Sequence, residues 1–146
     1  MLLEKSKLIG NKTIEISGSK SISNRLLILS YLFENLIIEN LSNAQDTQLL
    51  QNALESNTEI IDIHHAGTAM RFLTSYFAIQ PGKTTILTGS DRMKQRPILF
   101  LVDALRKLGA NISYVEKEGF PPLKIIEHSP QYPDRPRFCR QAAGPA

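Results

Sequence analysis

Gly18-Ser19-Lys20-Ser21-Ile22-Ser23-Asn24-Arg25 stands where a short alternating run, Thr13-Ile14-Glu15-Ile16, gives way to the apolar stretch Leu26 to Phe33. The alternation predicts a strand, and the apolar stretch predicts a helix from about Ser21 to Phe33. A Gly/Ser turn between such elements leaves backbone N–H groups unpaired at the helix start, where the macrodipole favours an anion. Lys20 stands at that start. Ser21 and Arg25 are four apart and share a face of a helix that begins there. A hydroxyl, an ammonium and a guanidinium around free backbone donors suit a phosphorylated or carboxylated ligand. The simpler reading of the octet is a serine N-cap, Ser19 or Ser21, beside solvated cations. A Walker loop is excluded, because Ser19 separates Gly18 from Lys20 and Thr13, not Gly, stands five residues before Gly18.

Upstream, Leu8-Ile9 reads as extended, with Gly10-Asn11 as a hairpin turn before Thr13. The helix after Ser21 is apolar around most of its circumference, which predicts burial on several sides. Ile37 to Leu41 reads as a strand, and Asp46 as the N-cap of a helix through Leu49, Leu50, Ala53 and Leu54. Glu59 to Ile63 is a strand. Ala66-Gly67-Thr68 opens a helix with Met70, Leu73 and Phe77 inward, stopped at Pro81-Gly82. Thr84 to Leu87 is a strand again. Pro97 suits a first helical turn, Ile98, Leu101, Val102, Leu105 and Leu108 make an inward stripe, and Gly109 suits the C′ position. Asn111 to Val115 and Leu123 to Ile126 close the pattern as two strands. Strands alternating with helices and ending in a strand pair predict an α/β (α+β layered) fold built from β-α-β-α-β-β units.

The bulk properties are consistent with this. The chain has 146 residues, 42% hydrophobic and 21% charged, which is the composition of a globular domain with a real core. A net charge of +3 is compatible with anionic small molecules or nucleic acid. The single cysteine, Cys139, allows no internal disulfide framework and no thiolate zinc site. No apolar run is long enough to span a bilayer and the first residues lack an apolar signal region, so the expected location is the cytoplasm. After Glu127 periodicity stops, and half of the 8 prolines fall there. That stretch, 127–146, reads as a disordered tail.

Two further turns carry chemistry. His64-His65-Ala66-Gly67-Thr68-Ala69-Met70-Arg71 is a second strand-to-helix junction whose helix start can present amides to an anion. Metal binding by His64 and His65 is disfavoured, because adjacent residues of an extended segment point to opposite faces and no third ligand stands near. The other is Gly89-Ser90-Asp91-Arg92-Met93-Lys94-Gln95-Arg96-Pro97. If it is extended, Arg92, Lys94 and Arg96 project to one side and call for an anionic partner, or form a solvated basic loop.

These three turns, in this order, resemble the 5-enolpyruvylshikimate-3-phosphate synthase family. The matching pieces are Gly18 to Arg25, Ala66 to Arg71 and Arg92 to Ile98, extended by Leu101 to Leu105 and Gly119-Phe120-Pro121-Pro122-Leu123. The resemblance covers roughly residues 8 to 126. It implies transfer of the enolpyruvyl group of phosphoenolpyruvate to the 5-hydroxyl of shikimate 3-phosphate. The family's route is addition and elimination through a tetrahedral intermediate, with no metal or organic cofactor. By motif, Lys20 would touch both substrates, Ser21 and Arg25 would hold shikimate 3-phosphate, and the Gly67 backbone and Arg96 would hold phosphoenolpyruvate, with Thr68 a weaker candidate. Asp46 matches an acidic position of the family, where capping is the first assignment.

The resemblance also implies two lobes with the site between them. Residues 1–17 would supply strands pairing with the far lobe, 18–126 would form part of the first lobe, and 127–146 would be unrelated to it. The family's acid/base carboxylate would lie outside this sequence, so turnover by the chain alone is expected to be negligible. The expected partners are small anionic substrates, not nucleic acid or membrane, and a full-length member is expected to be monomeric. His65 stands where the family usually has Asn, and Phe72 where it usually has Pro. The segment between Leu54 and His64 is shorter than usual. The rivals are the sibling transferase acting on a UDP-amino sugar and a non-catalytic basic binding module. The Ser21 and Ser23 pair argues against the first. The lack of aromatic residues among the cations argues against nucleic acid.

Overall fold

The computed structural model of the chain describes residues 10–33, 35–80 and 83–126. The expectations for Leu8-Ile9, for the stop at Pro81-Gly82 and for 127–146 lie outside the described residues. In chain order the elements are α1 (Lys20–Leu32), α2 (Gln45–Glu55), β1 (Ile60–Asp62), α3 (Gly67–Phe77), β2 (Thr85–Thr88), α4 (Asp91–Lys94), α5 (Leu99–Lys107), β3 (Asn111–Tyr114) and β4 (Leu123–Ile126). From β1 onward this is the expected β-α-β-α-β-β order, with α4 as an additional short turn.

The four strands form one mixed sheet in the order β1-β2-β4-β3. β1 runs parallel to β2, and the other two pairs are antiparallel. A parallel pair needs a crossover, and α3 supplies it. Alternate residues of each strand face inward, so Thr85 and Leu87 of β2 and Leu123 and Ile125 of β4 are buried. Above them, Ala66, Ala69, Met70, Leu73 and Phe77 recur at helical spacing and are buried too. Leu50, Ala53 and Leu54 of α2 and Ile98 and Val102 of α5 complete the core. No helix among the described residues is long and apolar enough to cross a membrane.

Several local expectations are corrected. Thr13 to Ile16 and Ile37 to Leu41 join no ladder among the described residues, and Ile14, Ile16 and Ile37 are exposed. Apolar alternation predicts which face a strand would bury, and without a sheet partner no strand forms. Pro97 precedes α5, with Ile98 at the N-cap, while Leu108 is exposed. Gly109 does follow the C-cap with a φ of 94°, a conformation that favours glycine.

The largest correction concerns α1. Its buried residues are Ser23, Asn24 and Leu27, whereas Ile22 and Leu29 are exposed. The inward face is polar because it is tied by hydrogen bonds to the start of α2. Ser23 Oγ accepts from the Ser42 amide at 2.9 Å, and Thr47 Oγ1 donates to Asn24 Oδ1 at 2.7 Å. Both Thr47 and Asn24 are shielded from water, so removing one partner strands the other. Asn24→Ala is therefore expected to destabilise the chain by about 2 kcal/mol. Urea unfolding checks this, and an unchanged midpoint would show that the bond contributes nothing.

Candidate functional site

Three helices start close together, and none of the three starts is capped by a side chain. At α1 the N-cap is Ser19, whose hydroxyl makes no capping bond. At α2 and α3 the N-caps are Ala44 and Ala66, which have no acceptor to offer. The first amides of such helices have no intrahelical acceptor and carry the positive end of the dipole. By contrast, α4 is capped by Ser90 Oγ, which accepts from the Met93 amide at 3.4 Å.

In the first turn Ser19 does occupy the N-cap position, but neither it nor Ser21 caps the helix with its hydroxyl. Ser21 Oγ instead accepts from Arg25 Nη1 at 2.6 Å, and the same nitrogen donates to the Ser21 carbonyl at 2.7 Å. This folds Arg25 back along α1 towards its start. The guanidinium also lies 5.7 Å from the centre of the Phe72 ring on α3. Ser21 and Arg25, expected together, are together.

Asp46 does not cap α2; Ala44 holds that position and Asp46 lies in the first turn. Its charge there suits the dipole, and its carboxylate turns towards two cations or potential cations. Lys20 Nζ donates to Asp46 Oδ2 at 3.3 Å, and His65 Nε2 lies 3.8 Å from Asp46 Oδ1. Asp46 thus links the start of α1 to the turn before α3.

At that turn Gly67 and Arg96 meet. A Cβ at Gly67 would come within 2.6 Å of Arg96 Nη1, so the guanidinium lies directly against the glycine. Arg71 Nη1 donates to the Gly67 carbonyl at 3.1 Å, and its Nη2 approaches the Pro97 carbonyl at 3.5 Å. Arg71 therefore clamps the α3 start to the segment carrying Arg96. Thr68 is exposed at the second position of α3.

The projected row of Arg92, Lys94 and Arg96 is corrected. Because Ser90 caps a helical turn over Asp91–Lys94, residues two apart do not share a side. Arg92 is exposed, and Lys94 pairs with Glu116 at 2.8 Å, a hydrogen bond that raises its ammonium pKa. Of the three, Arg96 is the one brought against Gly67.

This geometry yields a direct expectation for Gly67→Ala. The new methyl meets the end of a flexible side chain, so the fold should survive and Arg96 should move by an ångström or more. An anion held between the Gly67 amide and Arg96 should then bind about tenfold more weakly, since one charged hydrogen bond contributes about 1.5–3 kcal/mol. Calorimetry with phosphoenolpyruvate, beside a urea titration, checks both halves of the statement.

A separate apolar groove of 380 Å³ runs between α1 and α3, from Arg25 and Phe72 to Leu32 and Ile79. Its lining is apolar apart from Arg25 and Ser75, so it is not the seat of an anion.

The family profile described as EPSP synthase (3-phosphoshikimate 1-carboxyvinyltransferase) matches residues 50–132. The chain belongs to the EPSP synthase family. It is similar to the 3-phosphoshikimate 1-carboxyvinyltransferase of Bacteroides fragilis (strain YCH46), with 56% identity over 114 residues, covering 77% of this chain and 28% of that protein. The corresponding enzyme of Haemophilus influenzae (strain PittGG) is 41% identical over 143 residues, covering 77% of this chain and 33% of that protein. The chain thus spans a third or less of the length of these relatives. The fold matches that of the EPSP synthase from Acinetobacter baumannii at a TM-score of 0.64 and 20% identity, over 77% of this chain and 31% of that one. Within this EPSP synthase portion, His65 and Arg71 join the cluster although the sequence did not single them out as ligands. Arg71 had a signal in the Ala-Gly-Thr-Ala-Met-Arg motif. His65 had one only in standing where the family usually has Asn, just before the Ala66-Gly67-Thr68 turn.

Proposed function

We propose that this chain holds shikimate 3-phosphate and phosphoenolpyruvate for the enolpyruvyl transfer of the EPSP synthase family. On this reading residues 18–126 are part of one lobe of the family fold. Lys20 meets both substrates, Ser21 and Arg25 hold shikimate 3-phosphate, and the Gly67 amide with Arg96, beside Thr68, holds phosphoenolpyruvate. The observation that carries the reading is the gathering of uncapped helix starts with Lys20 and Arg96 among them. Both substrates are polyanions, and donors fixed in advance position them without reorganisation at the moment of reaction.

The chemistry asks little else of these residues. The 5-hydroxyl oxygen adds to C2 of phosphoenolpyruvate as the hydroxyl gives up its proton and C3 gains one. Phosphate then departs from C2 of the tetrahedral intermediate as C3 loses a proton and the double bond re-forms. The proton transfers fall to acid/base groups other than these residues. A guanidinium and backbone amides around that phosphate favour its departure as an anion.

An NMR titration of the chain with shikimate 3-phosphate, then with phosphoenolpyruvate, tests the reading. Saturable amide shifts at Lys20, Ser21 and Arg25 with the first ligand, and at Gly67 and Thr68 with the second, are expected. No saturable shift at these residues, or a preference for a UDP-amino sugar, would overturn it.

A further inference from the structure

We infer that Glu116, in the loop joining β3 to β4, is a positioning residue for Arg96 and acts through Lys94. The inference rests on the substrate-holding reading above and adds to it a residue that touches no substrate. Arg96 is exposed, and its guanidinium makes no hydrogen bond among the described residues. Its place against Gly67 is therefore set by the backbone that carries it. On the upstream side that backbone is tied to the turn before α3, where the Ser90 amide donates to the His64 carbonyl at 3.0 Å. Met93 is buried, and its carbonyl accepts from the Arg96 amide at 3.0 Å.

The β3–β4 loop meets this segment on both sides of Arg96. Two residues before it, Lys94 Nζ donates to Glu116 Oε1 at 2.8 Å. Two residues after it, the Ile98 amide donates to the Gly119 carbonyl at 2.8 Å. The loop is itself closed, by the Val115 amide on the Pro122 carbonyl at 2.9 Å and the Phe120 amide on the Lys117 carbonyl at 3.1 Å. Gly119, Pro121 and Pro122 are buried, so the loop is a firm base. Arg96 stands at the crown of a short arch whose two feet rest on it. The feet differ in kind. The one at Ile98 is a backbone bond at a buried residue, whereas the one at Lys94 is an ion pair whose Glu116 side chain is 55% exposed. The second can be removed without disturbing the core.

An anchoring role and a mere neutralising of Lys94 differ in sign, which makes them separable. Glu116→Gln leaves the chain one charge more positive and Lys94→Gln one charge less so, yet both lose the same ion pair. Anchoring predicts that both weaken phosphoenolpyruvate binding, each by about threefold, the size of an exposed ion pair. Charge alone predicts that Glu116→Gln strengthens it and Lys94→Gln weakens it. The exchange Lys94→Glu with Glu116→Lys keeps the net charge and re-forms the pair in reverse, so affinity should return to within about twofold of wild type.

The test is calorimetry of the full chain and these three variants with phosphoenolpyruvate and, separately, with shikimate 3-phosphate, beside urea unfolding. Affinity for shikimate 3-phosphate and the urea midpoint should not move, because Lys20, Ser21 and Arg25 lie on α1 and the pair lies outside the core. Opposite shifts in the two single variants, or affinities equal to wild type, would overturn this inference and leave the substrate reading standing. So would an exchange variant no better than the singles, or a midpoint that falls together with both affinities. A wild-type chain that binds neither ligand would overturn both.

Discussion

Arg96→Ala is expected to weaken phosphoenolpyruvate binding about a hundredfold and to leave the unfolding transition where it is. A guanidinium making paired, charge-assisted bonds to a phosphate contributes roughly 3 kcal/mol, which is a factor of about a hundred. The side chain is exposed and rests on Gly67, and the structural bond of this residue is its backbone one, from the Arg96 amide to the Met93 carbonyl at 3.0 Å. Nothing in the core depends on the guanidinium. Arg96→Lys keeps the charge and loses the planar fork, so an intermediate affinity should follow. Calorimetry on the three proteins decides the matter, and equal affinities would remove Arg96 from the site.

Gly18→Ala should act in the opposite way, through the fold. A Cβ at Gly18 would stand 1.9 Å from the Asn40 carbonyl oxygen and 3.1 Å from its carbon. These are backbone atoms, and they cannot swing aside as a side chain can. The need here is space, not an unusual φ. Residues 16–18 lie along 40–43, joined by Asn40 Nδ2 to the Ile16 carbonyl at 3.4 Å and by Ser17 Oγ to Asn43 Oδ1 at 3.0 Å. A methyl group would push the two segments apart and separate α1 from the start of α2. We expect a loss of about 3 kcal/mol, the upper end of what overpacking costs. Weaker binding of shikimate 3-phosphate should accompany it, because Lys20 would lose its register with Asp46. A urea midpoint equal to that of the wild type would show that the segments separate without cost.

The half of the chain from Ile60 onward was legible because its periods are clean. Ile61, Ile63, Leu87, Leu123 and Ile125 alternate, and Met70, Leu73 and Phe77 recur on one helical face. What came before was less so. The inward face of α1 is built from Ser23 and Asn24, whose burial depends on Ser42 and Thr47 some twenty residues away, and no local period reveals that. The alternation of Arg92, Lys94 and Arg96 suggests a one-sided row, but Ser90-Asp91 is an ordinary helix-start signal and the turn it opens disperses them. The motif residues Lys20, Ser21, Arg25, Gly67 and Arg96 could be named from sequence. What each one leans on could not. Asp46 stands after a loop where a cap is expected, and only the fold puts Lys20 and His65 opposite it.

Helix starts without caps also bear on folding energetics. A side-chain cap contributes about 1 kcal/mol to an ordinary helix, and α1 and α3 forgo it. An anion that supplied the missing acceptor would restore that stabilisation, so the melting temperature should rise with the concentration of such a ligand.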